Sequence, residues 1–295
     1  MQKHHDFDLW LHDDGELSNI QRMDVVSRET LQEWPLSVVE RVTFDHGLSR
    51  IYKASYNLPT EADFYRSVRS QYIPEVFFCH SDGERHWMLL EDVEGQHPAS
   101  LGRDEMLTLA HGARKIICGL GSFEPYRYDL SVAGYDSFVD STIGLLHKLR
   151  RKKKLTEVDA AAIRRIQEAL SHPKVLRAVQ GRCAPLHGDL RCKNMLIRPT
   201  GEMVIFDWQN ILFGPEDIDL YTLMAEHDHD YMSIAGIGPE ILRMALEIRW
   251  FADCLDRWMP AAAGFLGGRI ADIACYVRHI AGKEGYAGGD VYHFG

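Results

Sequence analysis

The stretch 186–208 restricts the possible folds of this chain more than any other part of its sequence. Two short apolar runs flank Pro199-Thr200-Gly201, a pattern that predicts a β-hairpin. Asn194 comes just before the first run and Asp207 just after the second, so a hairpin brings both side chains to its open end. Asp189 lies five residues before Asn194, on the segment that leads to that end. Three oxygen-bearing side chains are therefore expected to converge.

These three side chains suit phosphoryl transfer. Mg²⁺ prefers carboxylate and amide oxygens together with phosphate, and proteins rarely surround it with their own ligands alone. We expect Asn194 and Asp207 to bind Mg²⁺ and Asp189 to accept the proton of an attacking hydroxyl. The alternative is a hairpin that carries these three residues by chance.

The order of these residues also has the spacing of a known motif. D-x-x-x-x-N, followed by strand, turn, strand and aspartate, is the pattern of the protein-kinase catalytic loop and DFG segment. Here the loop begins His187-Gly188-Asp189, and Asp207 is followed by Trp208. In this form the sequence resembles the aminoglycoside phosphotransferase and choline kinase superfamily of small-molecule kinases. The resemblance covers residues 37–221 and implies ATP, Mg²⁺ and a small-molecule hydroxyl acceptor.

The resemblance implies an α+β, bilobal, protein-kinase-like fold. Residues 1–94 would form a small nucleotide-binding lobe with an antiparallel sheet and one helix. Residues 95–295 would form a larger, mainly helical lobe with the catalytic loop, metal site and acceptor pocket. Apolar residues at three- and four-residue intervals indicate helices at 106–120, 135–149 and 240–258. Thr156-Glu157-Val158-Asp159 is typical of a helix start.

A second hairpin is predicted at residues 37–55, where two β-branched segments flank Asp45-His46-Gly47. Lys53 lies near its end and shares a strand face with Ile51, because residues two apart point the same way. Taken alone, Lys53 is an edge or solvent-side lysine. In the superfamily it would contact the α- and β-phosphates, with Ile51 on the apolar side of the nucleotide pocket.

The next element reads as a helix with Thr60 as N-cap and Asp63 at the capping-box position. Glu61 follows the spacing of the apolar residues, so it lies on the buried stripe. It either favours the positive end of the helix or pairs with Lys53, as the αC glutamate does in kinases. The downstream hairpin favours the ion pair.

Two further nucleotide contacts follow from the resemblance. The sequence has no G-x-G-x-x-G, and Ser37 is expected to cover the phosphates instead. The segment from Trp87 to Gly95 resembles the hinge between kinase lobes, where backbone groups near Glu91 and Val93 would bind adenine.

Arg191 lies two residues after Asp189, where it either neutralises charge on the γ-phosphate or is a surface arginine. His187 is expected to brace the loop, since Asp189 supplies the base. Gly188 replaces the arginine of His-Arg-Asp, the usual partner of an activation-loop phosphate. This departure argues against a regulated protein kinase.

Composition excludes some functions. The net charge of −10 argues against nucleic acid as a general partner, and the basic run Lys148–Lys154 is interpreted as a solvated helix end. The sequence has no apolar run long enough to span a membrane and no recognisable signal peptide. Its six cysteines are scattered without a C-x-x-C pair. We expect a cytoplasmic protein, and its oligomeric state stays open.

A second class of function remains open. The chain could be a catalytically silent, kinase-like nucleotide-binding or scaffold protein. The intact set of Lys53, Glu61, Asp189, Asn194 and Asp207 speaks against this alternative. The acceptor of an active enzyme could be an aminoglycoside, an amino alcohol or a sugar.

Overall fold

The structure is a computed structural model of the 295-residue chain. It describes residues 1–4, 9–34, 36–56, 59–98, 101–121, 123, 126–156, 158–227, 229 and 236–257. The chain forms two compact units. Unit 1 contains residues 1–101, 111–127 and 187–211, and unit 2 contains residues 102–110, 128–186 and 212–295.

Unit 1 is built on a five-stranded antiparallel sheet with the strand order β3-β4-β5-β7-β6. Two short strands and a helix precede this sheet, one helix is inserted after β5, and a separate hairpin follows much later in the chain. The elements are β1 (Gln2–His4), β2 (Leu9–Leu11), α1 (Asp14–Gln21), β3 (Val25–Trp34), β4 (Ser37–Phe44), β5 (Ser49–Tyr56), α2 (Pro59–Ser67), β6 (Val76–Asp82), β7 (Arg85–Glu91), β10 (Met195–Ile197) and β11 (Met203–Ile205).

The two faces of this sheet have different roles because side chains alternate along each strand. One face carries the buried apolar side chains, among them Val42, Tyr52 and Trp87, which pack in one cluster with Leu9 and Leu17. The amino-terminal segment therefore covers that face. The opposite face is left to carry polar side chains such as Lys53.

Both hairpins predicted from the sequence are confirmed. Strands β4 and β5 pair antiparallel, with Val39 opposite Lys53. Strands β10 and β11 pair antiparallel through residues 195–197 and 203–205. Gly201 forms the turn between them with a φ of 88°, a conformation in which a residue with a Cβ is strained.

The sequence interpretation missed the first part of unit 1. Residues 1–30 show no clear apolar period, yet α1 forms there behind a capping box. The Asp13 side chain accepts from the Glu16 amide at 2.9 Å, and the Glu16 side chain accepts from the Asp13 amide at 2.9 Å. Strand β3 escaped notice because most of its ten side chains are exposed on both faces.

Unit 2 is mainly helical, with a three-stranded sheet in the order β8-β12-β9. Helix α3 is divided between the units after Ala110. The elements are α3 (Arg103–Gly119), β8 (Tyr128–Asp129), α4 (Tyr135–Arg151), α5 (Ala160–Leu170), α6 (Pro173–Val179), β9 (Cys183–Leu186), β12 (Leu212–Pro215), α7 (Asp217–Ala225) and α8 (Ile237–Arg257).

Two predicted helix starts are wrong. Helix α2 begins at Pro59, so Thr60 lies inside it; proline suits a first helical position because its missing N–H would have no partner there. Helix α5 begins three residues later than Thr156 suggests, because the Asp159 side chain caps it by accepting from the Ala162 amide at 2.6 Å. Glu157 lies outside the described residues.

The basic run Lys148–Lys154 binds another helix of unit 2. Lys148 Nζ lies 2.5 Å from Asp256 Oδ2. Lys154 Nζ donates to the carbonyl oxygens of Leu255 at 2.9 Å and Asp256 at 3.1 Å. These carbonyls end helix α8, where cations are favourable. The run therefore has a structural role beyond a solvated helix end.

None of the helices in the described part of the chain is long and apolar enough to cross a membrane. The expected lobe boundary after Glu94 stays a prediction. The units follow packing, and residues 187–211 pack within unit 1.

Candidate active site

The catalytic-loop segment is shaped by a glycine and a histidine. Gly188 has a φ of 79°, which suits the only residue without a Cβ. The Asp189 amide donates to His187 Nδ1 at 3.3 Å, and His187 Nε2 lies 2.9 Å from the Phe206 carbonyl oxygen. Because a carbonyl only accepts, Nε2 carries the proton and Nδ1 accepts. His187 thus braces the loop against the residue before Asp207.

The expected base and its neighbours lie close together. Arg191 Nε donates to Asp189 Oδ1 at 2.8 Å. Asn194 Nδ2 donates to the Asp189 backbone oxygen at 2.9 Å. The structure therefore places Arg191 against the carboxylate of Asp189 and orients the Asn194 amide so that its oxygen remains for other ligands.

Lys53 lies between two carboxylates. Its Nζ is 2.7 Å from Glu61 Oε2 and 2.7 Å from Asp207 Oδ1. The side chains of Lys53 and Glu61 are 9% and 1% exposed. The Lys53–Glu61 pair expected from the sequence is present, and Asp207 joins it from a position 154 residues along the chain.

These charges control each other's protonation. Burial alone lowers the pKa of Lys53, but the attraction of Asp207 and Glu61 outweighs it and raises the pKa above its ordinary value. Burial raises the pKa of Glu61 against the attraction of Lys53. Burial, together with Glu61 and Asp207, also raises the pKa of Tyr65, which is fully buried beside them. Lys53 is therefore a cation and Tyr65 a neutral phenol at neutral pH.

Asp207 has an unusual backbone conformation. Its φ of 66° and ψ of 55° lie in the left-handed region, which aspartate tolerates better than most residues. Gln209 Nε2 lies 3.4 Å from Asp207 Oδ2. The turn thus directs the Asp207 carboxylate to Lys53 on one oxygen and to Gln209 on the other.

Aromatic rings hold this turn on helix α2. Trp208 stacks on Phe64 with ring centroids 4.3 Å apart, and its Nε1 donates to the Ile205 carbonyl oxygen at 2.9 Å. The His187 ring lies 4.8 Å from Trp208. Helix α2 therefore carries Glu61 and also supports the segment that presents Asp207.

The sheet face that carries Lys53 also carries the other expected contacts of the β4–β5 hairpin. Val39 is opposite Lys53 and Ser37 is opposite Ser55, so these four residues share one face. The Ser37 residue is buried and Ile51 half-buried. Their placement is compatible with the expected roles, which stay predictions.

The expected hinge residues are placed at the end of β7. The Glu91 amide donates to the Glu75 carbonyl oxygen at 2.8 Å, so only the Glu91 carbonyl could serve a base there. Arg198 Nη1 lies 2.7 Å from Glu91 Oε1. Burial alone raises the pKa of Glu91, but the bonds from Arg198 and Glu75 outweigh it and lower the pKa. Val93 is buried.

The family of the chain follows from comparison with known proteins. A family model described as a phosphotransferase enzyme family matches residues 48–262. The chain belongs to this phosphotransferase family. It is a small-molecule phosphotransferase that acts on a hydroxyl group. No curated protein matches the chain.

Solved structures share the fold of this phosphotransferase. A thermostable mutant of aminoglycoside phosphotransferase APH(4)-Ia is similar over 92% of this chain and 100% of its own, with a TM-score of 0.59 and 17% identity. A choline/ethanolamine kinase family protein from Mesorhizobium loti is similar over 85% and 88%, with a TM-score of 0.57 and 18% identity. The predicted α+β, kinase-like fold class is confirmed.

Sequence reasoning missed several residues at this site. Arg198 pairs with Glu91 across 107 positions, Trp208 stacks on Phe64, and His97 contacts the catalytic loop. Arg198 and His97 act through partners far away in the sequence, so no local pattern marks them. Trp208, next to Asp207, was the one with a usable signal.

Proposed function

We propose that this phosphotransferase moves the γ-phosphate of ATP to a hydroxyl of a small molecule, with Mg²⁺ as cofactor and Asp189 as the catalytic base. Lys53, held by Glu61, would contact the α- and β-phosphates. Ser37 would lie over the phosphates, and Ile51, Val93 and the Glu91 carbonyl beside the base. These roles extend the family assignment to particular atoms.

One observation carries the proposal: a buried lysine contacts two carboxylates from separate parts of unit 1. A buried charge needs a partner, and Glu61 already supplies one. Asp207 adds a second negative charge to a single cation. Such an excess of negative charge is favourable where a metal ion will bind the carboxylate and phosphates will bind the lysine.

The donor set fits Mg²⁺. Asn194 uses its amide nitrogen on Asp189, so the oxygen remains for coordination. Asp207 offers a carboxylate that is 26% exposed. One amide and one carboxylate oxygen, completed by phosphate and water, are what Mg²⁺ takes in kinase sites. Mg²⁺ supplies charge neutralisation on the phosphates when bound.

The residues of the loop account for the proton and the charge of the reaction. The acceptor oxygen forms a bond to the γ-phosphorus, and the bond from that phosphorus to the ADP oxygen breaks with its electrons. The hydroxyl proton passes to the Asp189 carboxylate. Arg191, 2.8 Å from Asp189 Oδ1, fixes the direction of that carboxylate and lies near the transferred charge.

The acceptor class is proposed from the relatives. They include aminoglycoside phosphotransferases, a choline/ethanolamine kinase family protein and a putative fructosamine-3-kinase from Haemophilus somnus. Solved relatives are described with ATP and streptomycin and with GDP and kanamycin. We therefore propose an acceptor of aminoglycoside, amino alcohol or sugar type, and both ATP and GTP belong in the test.

The test is a screen for acceptor-dependent ADP or GDP release. Purified protein with Mg²⁺ is offered aminoglycosides, choline-like amines, amino sugars and sugars, beside an Asp189→Ala variant. We expect one class to stimulate release and the variant to lower kcat by several orders of magnitude, with nucleotide affinity nearly unchanged. Nucleotide binding without turnover across the panel would favour the catalytically silent alternative. An Asp189→Ala variant with wild-type kcat would remove Asp189 as the base.

A further inference from the structure

The segment that follows β7 is fastened to the metal-binding hairpin. The amide of Gln96 donates to the Ile197 carbonyl oxygen at 3.0 Å, and the Ile197 amide donates to the Gln96 carbonyl oxygen at 2.8 Å. A Cβ on Gly95 would lie 2.7 Å from the Ile197 oxygen. The backbones therefore approach as closely as only glycine permits.

His97 extends this contact to the turn that presents Asn194. Its Nδ1 lies 3.2 Å from the Cys192 carbonyl oxygen and 2.8 Å from that of Met195. Both partners are carbonyls and can only accept, so Nδ1 carries a proton and donates to both. One N–H thus binds the residues at both ends of the turn Cys192–Asn194.

The same turn has little else to fix its backbone. The Asn194 amide donates to the Arg191 carbonyl oxygen at 2.9 Å, and the Phe206 amide donates to the Asn194 carbonyl oxygen at 3.1 Å. These bonds fix the amide and carbonyl of Asn194 itself. The carbonyls on either side are oriented by His97, and their rotation would turn the Asn194 side chain.

We propose that His97 is a positioning residue, which sets Asn194 for metal binding and joins the nucleotide-binding segment to the metal site. The inference rests on the proposed function, because it takes Asn194 as a metal ligand. The Glu91–Arg198 pair, with Nη1 and Oε1 2.7 Å apart, fastens the same segment to the other end of β10. Partners that orient a metal ligand typically change metal affinity by about 10- to 100-fold.

The experiment compares two variants of nearly equal shape. His97→Asn can place an amide N–H where Nδ1 lies, whereas His97→Leu fills a similar space without a donor. His111→Leu, an exposed histidine of α3, is the control. Binding of ATP is measured by calorimetry with Mg²⁺ and with EDTA, and a thermal unfolding curve checks that each variant is folded.

We expect His97→Leu to lose about tenfold of the affinity gained from Mg²⁺, with ATP affinity in EDTA unchanged. His97→Asn should recover most of that loss, and His111→Leu should match the wild type. Equal Mg²⁺ enhancement in His97→Leu and wild type would overturn the role of His97 and leave the proposed function standing. The role would also be overturned if Asn and Leu behaved alike. A wild type whose ATP binding ignores Mg²⁺ would overturn the proposed function itself.

Discussion

At the scale of single residues, Lys53 is where stability and function meet. It is buried between Glu61 and Asp207, with both carboxylates 2.7 Å from its Nζ. A lone buried charge costs far more than a paired one. Replacing Lys53 therefore acts on the fold as well as on the nucleotide site, and a test must separate the two.

Lys53→Met should lower the free energy of unfolding by about 3–5 kcal/mol, because Glu61 is left buried without its cation. The double variant Lys53→Met/Glu61→Leu should recover most of that stability but no phosphotransfer. Urea unfolding and ATP affinity measure the two effects, with the exposed Lys115→Met as control. A double variant that binds ATP like the wild type would show that Lys53 serves the fold alone.

Asp207→Asn should separate metal binding from folding in a second way. Asparagine tolerates the left-handed conformation of this position, with its φ of 66°, and Lys53 keeps Glu61 as partner. We expect a stable protein whose ATP affinity no longer rises with Mg²⁺. Unchanged Mg²⁺ dependence, measured by titration of the metal at fixed ATP, would contradict the assignment of Asp207.

His12 should make unit 1 sensitive to acid. Its backbone amide donates to Tyr52 Oη at 2.9 Å, and its Nδ1 lies 3.0 Å from the same oxygen. Burial lowers the pKa of His12 below its ordinary value of 6.5. The unfolded chain therefore binds a proton first as pH falls below 6.5, and the folded state loses stability by at most about 1.4 kcal/mol per pH unit from this group.

Thermal unfolding between pH 7.5 and 5.5 checks this expectation, since carboxylates stay largely ionised there. His12→Gln should flatten part of the slope, whereas His111→Gln should not. His86 contributes in the same direction, because burial also lowers its pKa. An identical slope in wild type and His12→Gln would contradict the prediction for His12.

At the scale of elements, the helix end held by the basic run allows a clear test. Lys154 Nζ donates to two carbonyls at the end of α8, at 2.9 and 3.1 Å. Lys154→Ala should lower the unfolding free energy by about 1 kcal/mol, and Lys115→Ala should leave it unchanged. The measurement is urea unfolding at low salt. No difference between the variants would return Lys154 to a solvated surface role.

Elements also show how much the sequence alone could establish. The β10–β11 hairpin is local, so turn residues and spacing were enough to place Asn194 and Asp207 at one end. The pairing of Lys53 with Glu61 followed from a strand face and a helix stripe. Strand β3 lacked any alternation to detect, and the cap of α5 was misplaced because Thr156 and Asp159 are both good caps.

The remaining part of the site depends on distances along the chain that no local pattern encodes. Asp207 reaches Lys53 across 154 positions, and His97 reaches Met195 across 98. The family resemblance supplied the first contact and was silent on the second. Side chains that orient a ligand through its backbone leave no spacing rule, so only the structure revealed His97.

At the scale of the whole molecule, the account makes one central claim: the site of unit 1 transfers phosphate to a small organic hydroxyl rather than to water. Unit 1 already contains Lys53, Glu61, Asp189, Asn194 and Asp207. An enzyme with this set could still be a slow ATPase. Release of ADP does not distinguish these outcomes, whereas the fate of the phosphate does.

The decisive measurement follows labelled γ-phosphate from ATP in the presence of Mg²⁺ and the acceptor that best stimulates ADP release. Wild-type protein should place the label in an organic phosphate ester in a one-to-one ratio with ADP, and Asp189→Asn should form almost none. Label recovered only as inorganic phosphate, at equal rates in wild type and variant, would contradict the account.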